Sequence, residues 1–535
     1  MGRIFRRTPR AIYAIWLAFL IRGWFYAAFL PLWEGYDEYA HYAYVERIVR
    51  STRPLVDRTE PVPADVSASL QLAPLPWELR ALAAPALTSD AFWKLSPEAR
   101  AARVERLRGV GPLLSGAPNR TGPTIYEALQ PPLYYWLAAI PYAVVRNRPL
   151  VESVFVLRCF SVIIASTLVP LVFFAARMSM TPGRAIGVAA LVALLPELYF
   201  DVARVGNECV GIVLFTVLLI LCSISRGRAL PLRLAGGVGV TLGLGLLTKV
   251  YFLTAIPAVL MLAKPWKSRE RIRGTTVLFL IAGALSGWWF ALNRIHTGTW
   301  SGLNEAVMVQ RINWIGFIRG AARVDWHNAI DSLVLSHIWF GGWSSLQVRG
   351  WIYHFFMGIA LAGVAGIVAG QRNPRLRRLN RLKPPMAFYL WFWSGQLYNV
   401  VLLFLSKGAS TSMGWYFYAV VAAEIILLVQ GLCFLAPKRM VRWVVPLLAV
   451  CFGALDLYTV NFVGIPYYTG MIAHRQNGPV ASFHISQLDA IGWRVLLDRL
   501  CATKPVWLSP TVIGVLWICY LAATLTLVGI SVSTA

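Results

Sequence analysis

Residues 11–46 read AIYAIWLAFLIRGWFYAAFL PLWEGYDEYAHYAYVE. The apolar first part has the length of a helix that crosses the hydrocarbon core of a bilayer. The second part changes abruptly to carboxylates and a histidine among aromatic rings. Because basic residues precede the apolar part, it is predicted to be an uncleaved signal anchor whose amino end is cytoplasmic. Asp37, Glu38 and His41 then lie outside, at a membrane boundary where burial can shift their pKa values.

The composition of the whole chain predicts a membrane protein. Its 535 residues are 58% hydrophobic and 14% charged, and the mean hydropathy is +0.60. Apolar runs of spanning length recur, so we predict an all-α polytopic membrane protein, a bundle of about 12–13 transmembrane helices. The apolar segments are residues 11–31, 131–145, 155–177, 185–200, 208–225, 233–247, 250–264, 274–292, 351–369, 386–405, 415–435, 443–461 and 509–530.

Positive charge is concentrated between these segments. The formal net charge is +26, but the cations form short connectors and no continuous basic face, so nucleic-acid binding is not indicated. Such connectors are typical of cytoplasmic loops. Examples are Arg3, Arg6, Arg7 and Arg10, and the stretches 264–273, 372–383 and 438–442. We therefore predict an integral protein of the plasma (inner) membrane with a cytoplasmic N-terminus.

The alternation of sides requires that one early apolar segment does not cross. If 264–273 is cytoplasmic, the turn at 201–208 is outside, and an even number of crossings separates it from Asp37. Three apolar segments lie between them. Residues 131–145 are short and begin with two prolines, which favours a position at the membrane interface. The alternative is that 185–200 does not cross.

This topology divides the chain into two regions. Residues 1–461 are predicted to form the transmembrane region that carries the site, with outer loops near residues 32–154 and 293–350. Residues 462–535 add an outer loop and the last transmembrane helix. Within the first loop, Pro97 to Arg108 is predicted to form a surface helix.

Asp37 and His41 are four residues apart, so they share one face if a helix begins near Tyr36. Such a pair provides an acid and a base. Asp37 can accept a proton from a hydroxyl or amine, or orient it, with Glu38 or His41 setting its pKa. The alternative is that these acids cap a surface helix beside a belt of interfacial tyrosines.

A second candidate site is the turn Arg204-Val205-Gly206-Asn207-Glu208, which lies between two apolar segments and follows Glu197 and Asp201. Carboxylates this close to lipid are costly and usually serve a function. A local salt bridge of Arg204 with Asp201 or Glu208 is the other explanation.

Cations predicted to lie on the outer side are a third indication of a binding site. The loop 293–350 is rich in arginine and histidine, and Lys249 and Lys407 lie near outer segment ends. Arginine binds phosphate through two hydrogen bonds, so these cations can hold the phosphate of a lipid-linked ligand. The alternative to phosphate binding is that these cations are ordinary solvated charges of the loop.

The sequence contains no P-loop, Rossmann glycine pattern, GxSxG or HExxH motif, and its seven cysteines show no metal or disulfide spacing.

Together these motifs resemble the GT-C superfamily of polytopic glycosyltransferases, most closely the branch of protein O-mannosyltransferases and lipid A aminoarabinose transferases. The matching stretches are Asp37-Glu38 with His41, residues 126–136 (YEALQPPLYYW), Arg204 to Glu208, residues 243–249 (GLGLLTK) with Pro257, and residues 414–418 (GWYFY). In the first half of the chain the resemblance rests on sequence motifs. In the second half it rests mainly on the order of apolar segments and loops.

The resemblance implies a GT-C-like fold and an inverting glycosyltransferase. The enzyme would move a sugar from a polyprenyl-phosphate donor to a glycan, lipid or protein at the extracytoplasmic face. Glu208 stands where the family usually has Asp, and Gln130 where it often has a basic residue. The expected catalytic residues are Asp37, Glu38, His41 and Glu208. The expected substrate-binding residues are Tyr36, Gln130, Tyr134, Tyr135, Asp201, Arg204, Asn207, Lys249, Arg294, Arg349, Lys407 and Tyr416.

The expected partners are the polyprenyl-phosphate-sugar donor, the acceptor and membrane lipid. No cofactor is expected: paired carboxylates are compatible with a divalent metal ion, but no ligand spacing indicates one. The main alternative function is a polytopic transporter or lipid flippase, and the second is a non-catalytic scaffold. Transporters tend to carry internal repeats and acidic residues at the bilayer midplane, whereas the acidic residues here are predicted to lie at one face.

Overall fold

The computed structural model describes residues 9–82, 87–111, 122–225, 230–371, 380–475 and 479–534. Within these ranges the chain folds into helices and turns and contains no β-strand. The fold is therefore all-α, as predicted. Among the basic residues used to assign cytoplasmic loops, Arg3, Arg6, Arg7 and most of the stretch 372–383 lie outside the described residues.

A long connection on one face of the bundle follows the first apolar helix. Its helices come after α1 (Arg10–Phe29) and are α2 (Glu38–Ser51), α3 (Ala64–Leu72), α4 (Ser89–Phe92), α5 (Pro97–Arg108) and α6 (Leu133–Val145). Helix α5 coincides with the predicted surface helix. It starts there because the Ser96 hydroxyl accepts a hydrogen bond from the Ala99 N–H at 3.2 Å and Pro97 fits the first turn.

The later helices run back and forth between the two faces. Up to the next large outer loop they are α7 (Leu150–Ser166), α8 (Leu168–Arg177), α9 (Pro182–Val192), α10 (Pro196–Val202), α11 (Glu208–Ser225), α12 (Leu232–Leu246), α13 (Ala255–Ala263) and α14 (Arg269–Thr297). They continue with α15 (Asn304–Val309), α16 (Trp314–Arg323), α17 (Trp326–Ile338), α18 (Gly350–Gln371), α19 (Lys383–Lys407), α20 (Val421–Leu435), α21 (Val444–Tyr458), α22 (Ile465–Tyr468), α23 (Ile485–Ile491), α24 (Trp493–Cys501) and α25 (Pro510–Ser533).

The described ranges contain nine helical spans long and apolar enough to cross a membrane. The chain is an integral membrane protein. A further span, α9 with α10, is bent by 62°, because Leu195 before Pro196 is extended and interrupts the helix. Helices α6 and α12 are apolar but shorter. These elements account for the predicted segments except 250–264, where the structure has a 3-10 turn and then the nine-residue helix α13.

Helix α6 lies along the connection between α1 and α7, and both of its ends are on the side of the bundle that carries Asp37. Near its start, the Trp136 indole donates a hydrogen bond to the Pro54 carbonyl at 2.8 Å. Just beyond its end, the Leu150 N–H donates to the Val110 carbonyl at 2.9 Å. The helix packs against α2 between these two points. Both ends of α6 therefore contact the same connection. This agrees with the expectation that residues 131–145 begin and end on one side of the bundle.

A buried ion pair fixes α1 against the last helices. The Arg22 guanidinium lies 2.8 Å from an Asp456 oxygen, and neither side chain has solvent access. The Tyr26 and Tyr520 hydroxyls each donate a hydrogen bond to Asp456 at 2.7 Å. Because α1 leads directly into the Asp37 stretch, this network also determines where that stretch begins.

Replacing Asp456 by Asn is expected to destabilise the protein by about 3–5 kcal/mol, because Arg22 is left charged and unpaired inside the bundle. Thermal unfolding in lipid nanodiscs measures the loss. The double variant Arg22→Met/Asp456→Asn removes both charges and should recover most of the stability. Equal losses in the single and double variants would show that the charge pairing is not the cause.

Candidate active site

The stretch after α1 is held by cations that bind its backbone. The Arg158 guanidinium donates hydrogen bonds to the Leu30 and Pro31 carbonyls, each at 2.7 Å. The Lys504 ammonium donates to the Phe29 carbonyl at 3.2 Å. These carbonyls lie at the end of α1, where they have no partner within the helix, so the cations stabilise this end.

The same Arg158 determines the position of Glu38. It binds both carboxylate oxygens of Glu38, at 2.7 and 2.6 Å, and Glu38 also accepts a hydrogen bond from the Val205 N–H at 3.1 Å. Both side chains are buried. Glu38, predicted from the sequence as a catalytic residue, therefore lies in a buried ion pair that joins the first outer stretch to the turn 204–208.

Asp37 differs from its neighbours in exposure and in partners. Its side chain is half-buried, whereas Tyr36 and Glu38 are fully buried. It stands at the N-terminus of α2 with φ +57°, and the Tyr126 hydroxyl donates a hydrogen bond to one of its oxygens. No cation in the described parts of the chain lies at ion-pair distance from it.

Burial raises the pKa of Asp37 above the ordinary value, and the Tyr126 hydrogen bond and the charges of Arg204 and Lys249 oppose this shift. A carboxylate with a raised pKa is a stronger base than a free aspartate. Partial exposure together with a raised pKa makes Asp37 chemically able to accept a proton from a ligand.

The turn 204–208 forms a buried charge cluster. Arg204 lies 3.1 Å from Asp201 and 2.7 Å from Glu208, and Lys249 also contacts Glu208. The salt bridges considered from the sequence are thus present. The Arg204 guanidinium also donates to the Tyr36 carbonyl, so this cluster is fixed to the loop that carries Asp37.

Two more predicted residues hold the turn in place. The Gly206 N–H donates to the Tyr134 hydroxyl at 3.0 Å, and the Asn207 amide donates to the Thr248 carbonyl at 3.1 Å. Other polar atoms of the cluster have no partner within the described residues: Gln130 Oε1, Asp201 Oδ2, Arg204 Nε, Asn207 Oδ1 and the Tyr251 hydroxyl. Buried polar atoms are normally hydrogen-bonded, so a polar ligand or water is the partner to expect here.

His41 faces a different set of partners from Asp37. Its Nδ1 is hydrogen-bonded to the Tyr135 hydroxyl at 2.8 Å, and its Nε2 lies 3.7 Å from Glu127. No contact between the Asp37 and His41 side chains is present among the described contacts, although the two residues are on one helix. Burial lowers the pKa of His41 well below its usual range, so the imidazole is neutral at neutral pH.

Glu127 was not predicted as a site residue. It is buried beside His41, and burial, with the nearby charge of Asp37, raises its pKa to about 8. The sequence indicated a possible role for Glu127 only through its position in residues 126–136, one of the stretches that resemble the GT-C motifs. What the sequence does not show is that this stretch folds over α2 and brings Tyr126 to Asp37 and Glu127 to His41.

Lys249 is the cation most open to a ligand at this site. Its side chain is 11% exposed, and the rings of Tyr416 and Tyr251 lie 5.1 and 5.6 Å from its ammonium. Burial and the neighbouring Arg204 lower its pKa to about 8. Tyr416 belongs to the turn 414–420, so the predicted late aromatic turn does reach the site.

Two buried glutamates fasten a large outer loop to the Asp37 stretch. Glu34 accepts hydrogen bonds from the Ser344 N–H and hydroxyl at 2.7 and 2.8 Å. Glu197 accepts from the N–H groups of Phe340 and Gly341 at 2.9 and 3.2 Å, and from the Tyr36 hydroxyl. The sequence placed Glu197 beside the second candidate site, but it did not predict the partners of either glutamate, which are more than a hundred residues away in sequence.

Three predicted cations lie apart from the buried cluster. Arg294 is exposed and donates to the Gly298 carbonyl at the end of its own helix. Arg349 is exposed, and Lys407 pairs with Glu305 at 2.6 Å. Of these, Lys407 is near enough for its charge to act on Asp37. Within the described residues, no group of three or more His, Cys, Asp and Glu is arranged to hold a metal ion.

Solved structures similar to this chain are membrane glycosyltransferases. ArnT from Cupriavidus metallidurans in the apo state is 12% identical, with 97% of this chain and 77% of that chain covered and a TM-score of 0.47. The same protein bound to undecaprenyl phosphate gives a TM-score of 0.44 at the same identity and coverage. Archaeoglobus fulgidus AglB, an oligosaccharyltransferase in complex with an inhibitory peptide and a dolichol-phosphate, is 13% identical, covering 95% of this chain and 56% of its own, with a TM-score of 0.35.

These neighbours belong to the GT-C superfamily, which the sequence motifs resemble. No protein-family model and no curated protein matches the sequence.

Proposed function

We propose that this protein is a glycosyltransferase that moves a sugar from a polyprenyl-phosphate donor to a glycan, lipid or protein acceptor, with Asp37 as the catalytic carboxylate. The observation that carries the proposal is that Asp37 differs from the other carboxylates of the charge cluster in its partners and exposure. Glu38 and Glu208 are each bound to cations, whereas Asp37 keeps solvent access, has no cation at ion-pair distance among the described residues and receives one hydrogen bond from Tyr126.

The proposed reaction is a direct displacement. A hydroxyl or amine of the acceptor gives its proton to Asp37 as its oxygen or nitrogen forms a bond to the anomeric carbon. The bond from that carbon to the phosphate oxygen breaks on the opposite side, so the configuration inverts and the polyprenyl phosphate leaves. Lys249 lies beside the cluster with partial solvent access and stabilises the negative charge that builds on the leaving phosphate.

The other predicted catalytic residues receive supporting roles in this proposal. Glu38 and Glu208 position the two loops through Arg158 and Arg204, and neutral His41 orients Tyr135 and Glu127. The unpartnered polar atoms around Gln130 and Asn207 are proposed to bind sugar hydroxyls. The site is proposed to face the extracytoplasmic side of the inner membrane, with a cytoplasmic N-terminus.

The test is transfer of labelled sugar from synthetic polyprenyl-phosphate donors by the purified protein in nanodiscs. Transfer to an acceptor, or slow hydrolysis of the donor, supports the proposal. Movement of the lipid between leaflets of a liposome without cleavage of the sugar bond would instead indicate a flippase. We also propose that no metal ion takes part, so the rate should be unchanged in EDTA; a loss that Mg²⁺ or Mn²⁺ restores would contradict this.

The dependence of the rate on pH is expected to have two limbs. Asp37 acts deprotonated, so the rate rises with pH through the raised pKa of Asp37, above the ordinary value of 3.8. Lys249 acts protonated, so the rate falls as pH passes about 8. Initial rates between pH 4 and 10 measure both limbs. In Lys249→Arg the upper limb should move to higher pH, and an unchanged upper limb would assign it to another group.

A further inference from the structure

A basic pocket lies at the end of the bundle opposite to Asp37. It has an empty volume of about 630 Å³, solvent at its mouth included, and its lining includes Thr181, Gly183, Arg184, Lys438, Arg442 and Thr534. We propose that this pocket binds the phosphate group of an anionic phospholipid. The site is separate from the proposed transferase site and does not depend on it.

Four helices end at the pocket, and two of them lead from it to the side of the bundle that carries Asp37. Helix α9 begins at Pro182 beside the pocket and leads through α10 to Arg204 in the charge cluster. Helix α20 starts after the turn 414–420, next to the cluster, and ends before Lys438. Helices α21 and α25 have their pocket ends at Val444 and Ser533. The pocket is thus formed by helix ends that all face away from the catalytic side.

No acidic partner of the three pocket cations is present in the part of the chain that the structure describes. No carboxylate lies at ion-pair distance from Arg184, Lys438 or Arg442 within the described ranges, and none lines the pocket. Cations that share one pocket repel each other, and an anion bound between them removes this cost. Phosphate suits two arginines and a lysine because each guanidinium can donate two parallel hydrogen bonds to its oxygens.

The surroundings of the pocket favour a lipid over a soluble phosphate. Next to the cations in sequence, Leu435, Met440 and Trp443 expose 46%, 48% and 42% of their surfaces. The Arg442 guanidinium lies 5.5 Å from the Trp443 ring. Exposed apolar side chains and a tryptophan beside cations are typical of the boundary between lipid headgroups and acyl chains. A headgroup phosphate can therefore occupy the pocket while its acyl chains lie against the helices.

The experiment compares two triple variants in the full-length protein. The pocket variant is Arg184→Gln/Lys438→Gln/Arg442→Gln. The matched control, Lys267→Gln/Arg269→Gln/Arg273→Gln, removes three exposed cations from another connector at the same end of the bundle. Each protein is purified free of native lipid, and its unliganded thermal unfolding and elution profile are checked. Binding of phosphatidylglycerol is then titrated by native mass spectrometry. Phosphatidylcholine of the same acyl chains, which is zwitterionic and has no net charge, is the comparison.

Wild type and control are expected to bind phosphatidylglycerol with similar affinity and in preference to phosphatidylcholine. The pocket variant should bind phosphatidylglycerol at least about tenfold more weakly, because each nearby cation contributes to the attraction of an anionic headgroup. Equal binding by wild type and pocket variant, or equal losses in both triple variants, would overturn the proposal. Inorganic phosphate or glycerol phosphate that protects wild type from thermal unfolding as well as phosphatidylglycerol does would overturn the assignment to a lipid.

Discussion

Replacing Asp37 by Asn is expected to reduce the rate of sugar transfer at least about 100-fold, the lower end of what a general base contributes. Asparagine has nearly the same shape and can still accept the hydrogen bond from Tyr126, but it cannot take the proton of the acceptor. Since Asp37 has no ion-pair partner among the described residues, the charge cluster remains balanced. Thermal stability and donor affinity should therefore stay close to those of wild type.

The matched control for this variant is Asp331→Asn. Asp331 lies on α17 within residues 293–350, is exposed, and lies 3.4 Å from the exposed His327. The substitution makes the same chemical change at a residue outside the site, so the rate of sugar transfer by Asp331→Asn should equal that of wild type. Equal rates in Asp37→Asn and Asp331→Asn would remove Asp37 from the mechanism. If Asp37→Asn loses transfer activity and also unfolds at a lower temperature than wild type, the role of Asp37 would instead be structural.

Replacing Lys249 by Met is expected to lower kcat by about 10²–10³, the effect of removing one preorganised group that stabilises developing negative charge. Methionine keeps the length and packing of the lysine stem. The fold should persist because Glu208, the carboxylate that Lys249 contacts, also pairs with Arg204 at 2.7 Å. Single-turnover rates with a synthetic donor separate this effect from changes in donor affinity.

Two further variants identify the cause of the loss. Lys249→Arg keeps a positive charge beside Tyr416 and should retain much of the rate. Lys407→Met removes an exposed outer cation that is paired with Glu305 and should have little effect. If Lys407→Met lowers kcat as much as Lys249→Met does, the general positive field of the outer face, and not contact with the leaving phosphate, is the source of the stabilisation.

The sequence was sufficient for the features that depend on local patterns. Apolar length predicted the membrane helices, and the short proline-led segment 131–145 lies along the connection after α1, as expected. That this connection is on the extracytoplasmic side stays a prediction. The surface helix predicted for Pro97 to Arg108 is present as α5. The stretches 33–46, 204–208 and 414–418 were each predicted to belong to the site, and they do meet in the fold.

The sequence was insufficient for the role of each charged side chain. Asp37 and His41 have the spacing of a helical pair, yet the stretch 126–136 separates them by supplying Tyr126 to one and Glu127 to the other. Asp37 and Glu38 are adjacent and nearly equivalent as residues. Arg158, 120 residues later, pairs with Glu38 inside the fold, whereas no cation of the described residues pairs with Asp37.

This chain's sequence thus determined that it folds as a membrane bundle and that acidic residues collect where α1 ends. Both properties arise from hydrophobicity and charge along short segments, which act before any tertiary contact forms. The tertiary structure decided which acidic residues pair with cations, which polar atoms have no partner among the described residues, and which cations at the far end share a pocket. These outcomes depend on which distant side chains are brought within a few ångströms, because burial and ion pairing act strongly only at such distances.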